Sequence, residues 1–416
     1  MEEFIMISEK MKTHVGAEGV IRRMFEAGIK MKAEYGAENV FDFSLGNPNV
    51  PAPDKVRDSI KEIVDTLPPG KIHSYMPNAG FPEVRAEVAR HINKVHCTGY
   101  SEKNVIMTAG AGSALNLIMK SLLDIDDEVV VPRPYFAEYK GYIENYYGKI
   151  VESAPRDDGS FLPDMDNIAA AITPRTKAVL IDTPNNPTGV VYPESVITEL
   201  AEVLRRKEKE IGHPIYLISD EPYREIVFGD GYKDLSDGDT DAADQGDKLP
   251  WIPDYYDDAI VAYSYSKTLS VPGERIGNII IPDTCDGADE LIGAVTAAIL
   301  VEGVVNAPSL MQLVIAKCLD EKVDVDFYRK NGELLYDIVT SAGFEAVKPQ
   351  GAFYLWVKAP AGDDRAFVDK ARDHKILMVP GYAFAGPGCV RLSYCVARDM
   401  IERSRKAFME LGEEYK

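Results

Sequence analysis

Residues 260–281 read IVAYSYSKTLSVPGERIGNIII. Two apolar runs, Ile260 to Tyr263 and Ile279 to Ile281, flank a polar loop. Short β-branched runs bounded by Gly, Pro and Ser read as buried strands. Lys267 follows the first strand, flanked by hydroxyl residues, and Arg275 stands eight residues on. A solitary lysine is usually a surface charge. One that closes an apolar strand is expected to be buried, with its pKa lowered. An amine of that kind suits Schiff-base chemistry.

The same texture extends towards the N-terminus to about residue 100. Val129 to Val131, Ala178 to Ile181 and Ile215 to Ile218 read as strands, and Ser113 to Leu123 and Glu194 to Lys209 as helices. Alternation of this kind predicts an α/β fold, a mostly parallel sheet with helices on both faces. Beyond about 290 the pattern changes. A long helical region is expected over 288–340, and GFEAVKPQGAFYLWVKA reads as two strands. A helix over 366–374, strands around Ile376 to Val379 and Cys389 to Tyr394, and a terminal helix follow. This reads as a smaller α+β unit, against which the helix of residues 18–35 is expected to pack. The expected division is a large domain over 50–290 and a small one from 1–49 and 291–416.

The chain of 416 residues has an apolar fraction of 45%, enough for a large core. Its 46 basic against 67 acidic side chains give a net charge of −21. So acidic a chain is a poor general partner for nucleic acid or anionic membrane, both polyanions. Five cysteines without a CxxC pair and six scattered histidines without HExxH argue against a disulfide framework or a zinc site. The start MEEFIMISEK lacks the basic opening of a signal peptide, and the apolar run Leu291 to Val301 is too short to span a bilayer. A cytoplasmic protein with no metal and no membrane partner is expected. Residues 229–258 carry ten Asp and two Lys and read as a solvated insertion.

Four short motifs fall at predicted C-terminal strand ends, the edge where open α/β sheets bind ligands. Thr108-Ala-Gly-Ala-Gly-Ser opens a helix, whose free N–H groups can face an anion. Asp182-Thr-Pro-Asn-Asn-Pro-Thr-Gly189 holds Asn186 in a Pro-flanked turn. Ser219-Asp-Glu-Pro-Tyr223 presents Asp220 as its strand ends, where a carboxylate serves function or simply an N-cap. The fourth is the Lys267 stretch.

With SLGNPN, GAFYLWV and RLSYC, these motifs occur in an order that resembles the fold-type-I pyridoxal-phosphate aminotransferases of class I/II, aspartate aminotransferase-like. The resemblance runs from the N-terminal helix to about Cys395. It implies a large domain built on a seven-stranded-type sheet, a small α+β domain, and a homodimer with shared active sites. It implies pyridoxal 5′-phosphate as cofactor, with Lys267 as Schiff-base lysine and proton carrier, Asp220 as partner of the pyridine nitrogen, and Tyr223 and Asn186 on the ring oxygen. Ala111, Gly112, Ser113, Ser264 and Arg275 match the phosphate ligands, and Tyr75 matches a tyrosine that reaches the phosphate of the neighbouring subunit. Phe136 is the expected stacking ring, with Tyr135 the alternative. Arg391 matches the arginine that grips the substrate α-carboxylate, assisted by Gly46 and Asn186, with Tyr354 lining the pocket.

The implied reaction is ping-pong amino-group transfer between amino acids and 2-oxo acids, with aspartate or another common amino acid as donor. Alternatives are a C–S lyase on the same fold and a non-catalytic cofactor-binding regulator; the latter appends a DNA-binding module, which a chain of net charge −21 does not suit. Two features depart from the family pattern. Glu274 stands where many relatives carry an aromatic residue, and Gly112 where some aspartate-using relatives place a lysine.

Overall fold

The structure, a computed structural model, describes residues 7–8, 10–12, 19–228 and 249–416. In chain order its strands are β1 (Phe41–Asp42), β2 (Val105–Thr108), β3 (Glu128–Pro132), β4 (Lys149–Ser153), β5 (Thr176–Asp182) and β6 (Tyr216–Asp220). They continue with β7 (Ala259–Ser264), β8 (Gly277–Ile280), β9 (Tyr354–Lys358), β10 (Ile376–Leu377), β11 (Val379–Pro380) and β12 (Cys389–Ser393).

Seven of them form one sheet in the order β2-β8-β7-β6-β5-β3-β4. Only β8 runs antiparallel to its neighbours. The side-chain period of two sends alternate residues to opposite faces. Val129, Val131, Ala178, Leu180 and Ile218 join a cluster with the helices Ala111–Leu122 and Ala288–Val301. Val130, Val179, Ile181 and Leu217 join another with Glu194–Ile211. Both faces are therefore covered, and the near-continuous apolar runs follow from that burial. The common direction of β2, β5, β6 and β7 brings Thr108, Asp182, Asp220 and Ser264 to one edge. The α/β class with a seven-stranded, mostly parallel sheet is as the sequence predicts.

A three-stranded antiparallel sheet, β11-β12-β9, places Arg391 in its central strand, opposite Trp356 and Val379. β1 pairs in parallel with β10, Phe41 against Ile376, so the early chain joins the C-terminal unit. Phe43, Phe353, Tyr394, Phe408 and Leu411 build its core.

Several expectations are corrected in detail. The region 288–340 contains three helices, Ala288–Val301, Ser309–Ile315 and Val325–Ser341, because Gly303 at φ 73° and Pro308 end the first run. The stretch GFEAVKPQGAFYLWVKA yields β9 plus isolated bridges at Ala346 and Gly351; Pro349 and the positive φ of Ala352 stop a second strand. The expected domain division at 290 falls inside the helix Ala288–Val301, whose Leu291, Val295 and Ile299 pack with the large sheet. Most of the acidic stretch lies outside the described residues. Its last part is no solvated loop: Trp251, Ile252 and Tyr256 are buried.

Candidate active site

Lys267 lies in the one-turn helix Tyr265–Thr268, capped by the Ser264 hydroxyl, directly after β7. Its Nζ donates to the Gly46 carbonyl over 3.0 Å and stands 5.5 Å from the Phe353 ring centre. No carboxylate pairs with it among the described residues. Burial pulls its pKa down to about 8; Cys395 opposes the shift, and the cations Arg391 and Arg275 deepen it. The residue is half-buried, and its amine's pKa is lowered as the sequence predicts.

Asp220, at the end of β6, is 5% exposed. Its Oδ2 accepts from the Tyr139 hydroxyl at 2.6 Å, while Oδ1 has no partner. Burial pushes its pKa up to about 7, against the Tyr139 bond. Tyr223 and Tyr354 share a 2.8 Å hydroxyl contact. Gly46 is where it is because a Cβ there would meet the Tyr354 hydroxyl at 2.2 Å.

Arg391 is 2% exposed and sits between two rings, 4.5 Å from the centres of Tyr354 and Phe384. It donates to the Asn186 Oδ1 and to the Ser44 carbonyl, each at 3.0 Å. Its Nε is buried without a partner. A planar, charged fork with an unused donor is matched to a carboxylate.

Ala111, Gly112 and Ser113 form the first turn of the helix Ala111–Leu122, where backbone N–H groups lack intrahelical partners. Gly110 precedes them at φ 84° and lies against the Arg275 guanidinium, which a Cβ would meet at 2.6 Å. Arg275 donates to the carbonyls of Pro272 and Ala109. Ser264 donates to the Ser266 hydroxyl at 2.9 Å. Tyr135 donates to Glu152 at 2.9 Å, which anchors it against β4. Phe136 stands edge-on to Tyr139, centres 5.5 Å apart. Tyr75 is 86% exposed, and this chain alone does not gather it into the cluster.

Sequence reasoning passed over Tyr139, Phe384, Ser44 and Asp182. Tyr139 stands 81 residues from its partner Asp220, and only its place three residues after Phe136 marks it. Asp182 lies inside a motif already singled out, yet it reads there as the start of a turn.

The pattern of the family described as aminotransferase class I and II matches residues 38–408. The chain belongs to that family. It is 30% identical to a probable aspartate/prephenate aminotransferase of Aquifex aeolicus, covering 90% of this chain and 92% of that one. It is 28% identical to an aspartate aminotransferase of Bacillus subtilis, over 91% and 92% of the two chains. The crystal structure of an aminotransferase from Eubacterium rectale superposes with a TM-score of 0.92 at 41% identity, covering 99% of this chain and all of that one. The chain is thus a pyridoxal-phosphate-dependent transaminase.

The residues present fit that cofactor. The unpartnered Asp220 Oδ1 suits a protonated ring nitrogen, the helix N-terminus beside Arg275 suits a phosphate dianion, and the acidified Lys267 amine suits an aldehyde. Among the described residues there is no cluster that could hold a metal ion, and no helix long and apolar enough to cross a membrane.

Proposed function

We propose that this transaminase takes the amino group of a common amino acid and passes it to a 2-oxo acid in two half-reactions, with Lys267 as the covalent anchor of the cofactor. Aspartate leads the candidate donors, because relatives bear its name. When bound, the cofactor supplies an aldehyde for the amino group and a ring that withdraws electrons from the Cα–H bond. Lys267 Nζ, as a free amine, takes the proton from the substrate Cα and returns it during product formation. Asp220 would partner the ring nitrogen and keep it protonated, and Phe136 would cover the ring. Asn186 and Tyr223 hold the ring oxygen. Ala111, Gly112, Ser113, Ser264 and Arg275 hold the phosphate, joined by Tyr75 from a second copy in a homodimer. Arg391, with Gly46 and Asn186, fixes the α-carboxylate so that Cα stands over Lys267, and Tyr354 closes the pocket wall.

The observation that carries this reading is the Lys267 amine, which donates to the Gly46 carbonyl, pairs with no carboxylate among the described residues and has its pKa pulled down to about 8, at the sheet edge that also carries Asp220. The test supplies amino acids one at a time to the loaded enzyme without an acceptor. One equivalent of 2-oxo acid per site and no free ammonia supports transamination. Catalytic release of ammonia or sulfide without an acceptor assigns the chain to lyase chemistry instead.

A further inference from the structure

The strand ends hold a second buried carboxylate that the reaction as described does not use. Asp182 closes β5 and is the direct register partner of Asp220 on β6. Register partners on parallel strands project to the same face, with backbones about 4.8 Å apart. Asp182 is 3% exposed. Its Oδ2 accepts from the Asn186 backbone N–H at 2.8 Å, and its Oδ1, like that of Asp220, has no partner. Two facing acids thus each keep one oxygen in reserve.

No lysine, arginine or histidine among the described residues pairs with either acid. The groups around them are the neutral hydroxyls of Tyr139, Tyr142, Tyr192, Tyr223 and Tyr354, and Glu221, which is taken up by Arg224 at 2.8 Å. Two adjacent carboxylates in such a place cannot both ionise without a cation. The Tyr139 hydroxyl donates to Asp220 and so favours the anion there.

We propose that Asp182 and Asp220 share one proton, held on Asp182, so that Asp182 donates a hydrogen bond to Asp220 and positions it as the carboxylate facing the cofactor's ring nitrogen. The second half of this statement rests on the role assigned to Asp220 above; the shared proton does not. Burial and the charge of Asp220 both push the Asp182 pKa well up, which agrees with it. Asp182 never touches the reacting atoms. It acts through Asp220, as the neutral member of an acid pair.

The test uses the full chain stripped of cofactor. An infrared spectrum at pH 7 is expected to carry the carbonyl band of a buried, protonated carboxylic acid, and a spectrum without that band overturns the proposal with no variant needed. Asp182→Asn keeps the shape and a donor but removes the titrating group, so at pH 8.5, above the Asp220 value of about 7, the band should be present in the wild type and vanish in the variant. A band that persists in this variant places the proton elsewhere and overturns the proposal too. Melting temperature supplies an independent readout. A carboxyl whose pKa is higher in the folded state loses its stabilising proton as pH rises from roughly 4 through the folded value. The wild-type melting temperature should therefore fall between pH 5 and 9, and Asp182→Asn should fall less; parallel curves contradict the shared proton. With pyridoxal phosphate restored, Asp182→Asn should alter the bound chromophore's spectrum in the same direction as Asp220→Asn, and an effect of Asp220→Asn alone checks the role of Asp220 separately. An unchanged Asp182→Asn spectrum beside an intact wild-type infrared band sinks the positioning role while leaving the acid pair standing.

Discussion

The Arg391 guanidinium donates to the Asn186 side-chain oxygen over 3.0 Å, across 205 residues of sequence. This bond ties the central strand of the small antiparallel sheet to the loop after β5 of the large one. It makes the carboxylate-binding fork and the cofactor-edge amide a single rigid unit, so changes on either side should be felt at the other.

Arg391→Ala should raise KM for every amino-acid donor by a factor corresponding to about 2–5 kcal/mol, since each carries the α-carboxylate and the buried partners are left unpaired. Cofactor should stay bound through its phosphate contacts, while the hold of Asn186, which loses its Arg391 partner, loosens. Steady-state kinetics with aspartate, alanine and phenylalanine check this; a loss confined to dicarboxylic donors would mean that Arg391 reads the side chain.

The Lys267 amine is destabilising while charged. Its folded-state pKa of about 8 lies below the ordinary 10.5, so the folded state binds the proton less tightly. The resulting cost is full below pH 8 and is relieved as pH rises from about 8 to 10.5. In the cofactor-free protein, Lys267→Met should be more stable than wild type at pH 7 by roughly 1–3 kcal/mol, with the difference shrinking by pH 10. Urea unfolding at the two pH values measures it. The same variant, once loaded, should lose at least about 10³-fold in turnover.

Gly277 packs backbone against backbone beneath the phosphate edge: a Cβ would stand 2.3 Å from the Tyr263 carbonyl and 3.0 Å from the Gly110 Cα. Neither neighbour is a flexible side-chain end. Gly277→Ala should therefore cost about 1–3 kcal/mol of stability and weaken cofactor retention, because Gly110 leads directly into the helix N-terminus. Thermal melts with and without pyridoxal phosphate read both effects.

Arg224 and Glu221 form a buried pair, with side-chain exposures of 9% and 0%. The guanidinium also donates to the Leu249 and Pro250 carbonyls and lies 5.0 Å from the Trp251 ring centre. Removing the cation alone strands the carboxylate. Arg224→Met should destabilise by about 3–5 kcal/mol, and adding Glu221→Gln should recover part of the loss. Denaturant unfolding of the single and double variants separates the two terms.

The strand ends that carry Asp220 and Lys267 were legible because a buried parallel strand is a short apolar run, and a polar residue that breaks it marks the edge. Arg391 was legible only through the RLSYC resemblance, since nothing in its own spacing says that Tyr354 and Phe384 enclose it. The Tyr139–Asp220 bond and the Asp182–Asp220 register are products of strand order, which no local pattern encodes. Trp251 was misread because the aspartates before it dominate the composition of that stretch, while Arg224 and the stacked His96 ring, both distant in sequence, cover it. Strands β10 and β11 were too short for a period of two to separate them.

The account stands most directly on the attachment of the cofactor. Borohydride reduction of the yellow loaded enzyme, followed by peptide mass mapping, should find one pyridoxyl group per chain, on Lys267 in the peptide around SYSKTLSVPGER. A label on any other lysine, with Lys267 unmodified, would contradict it.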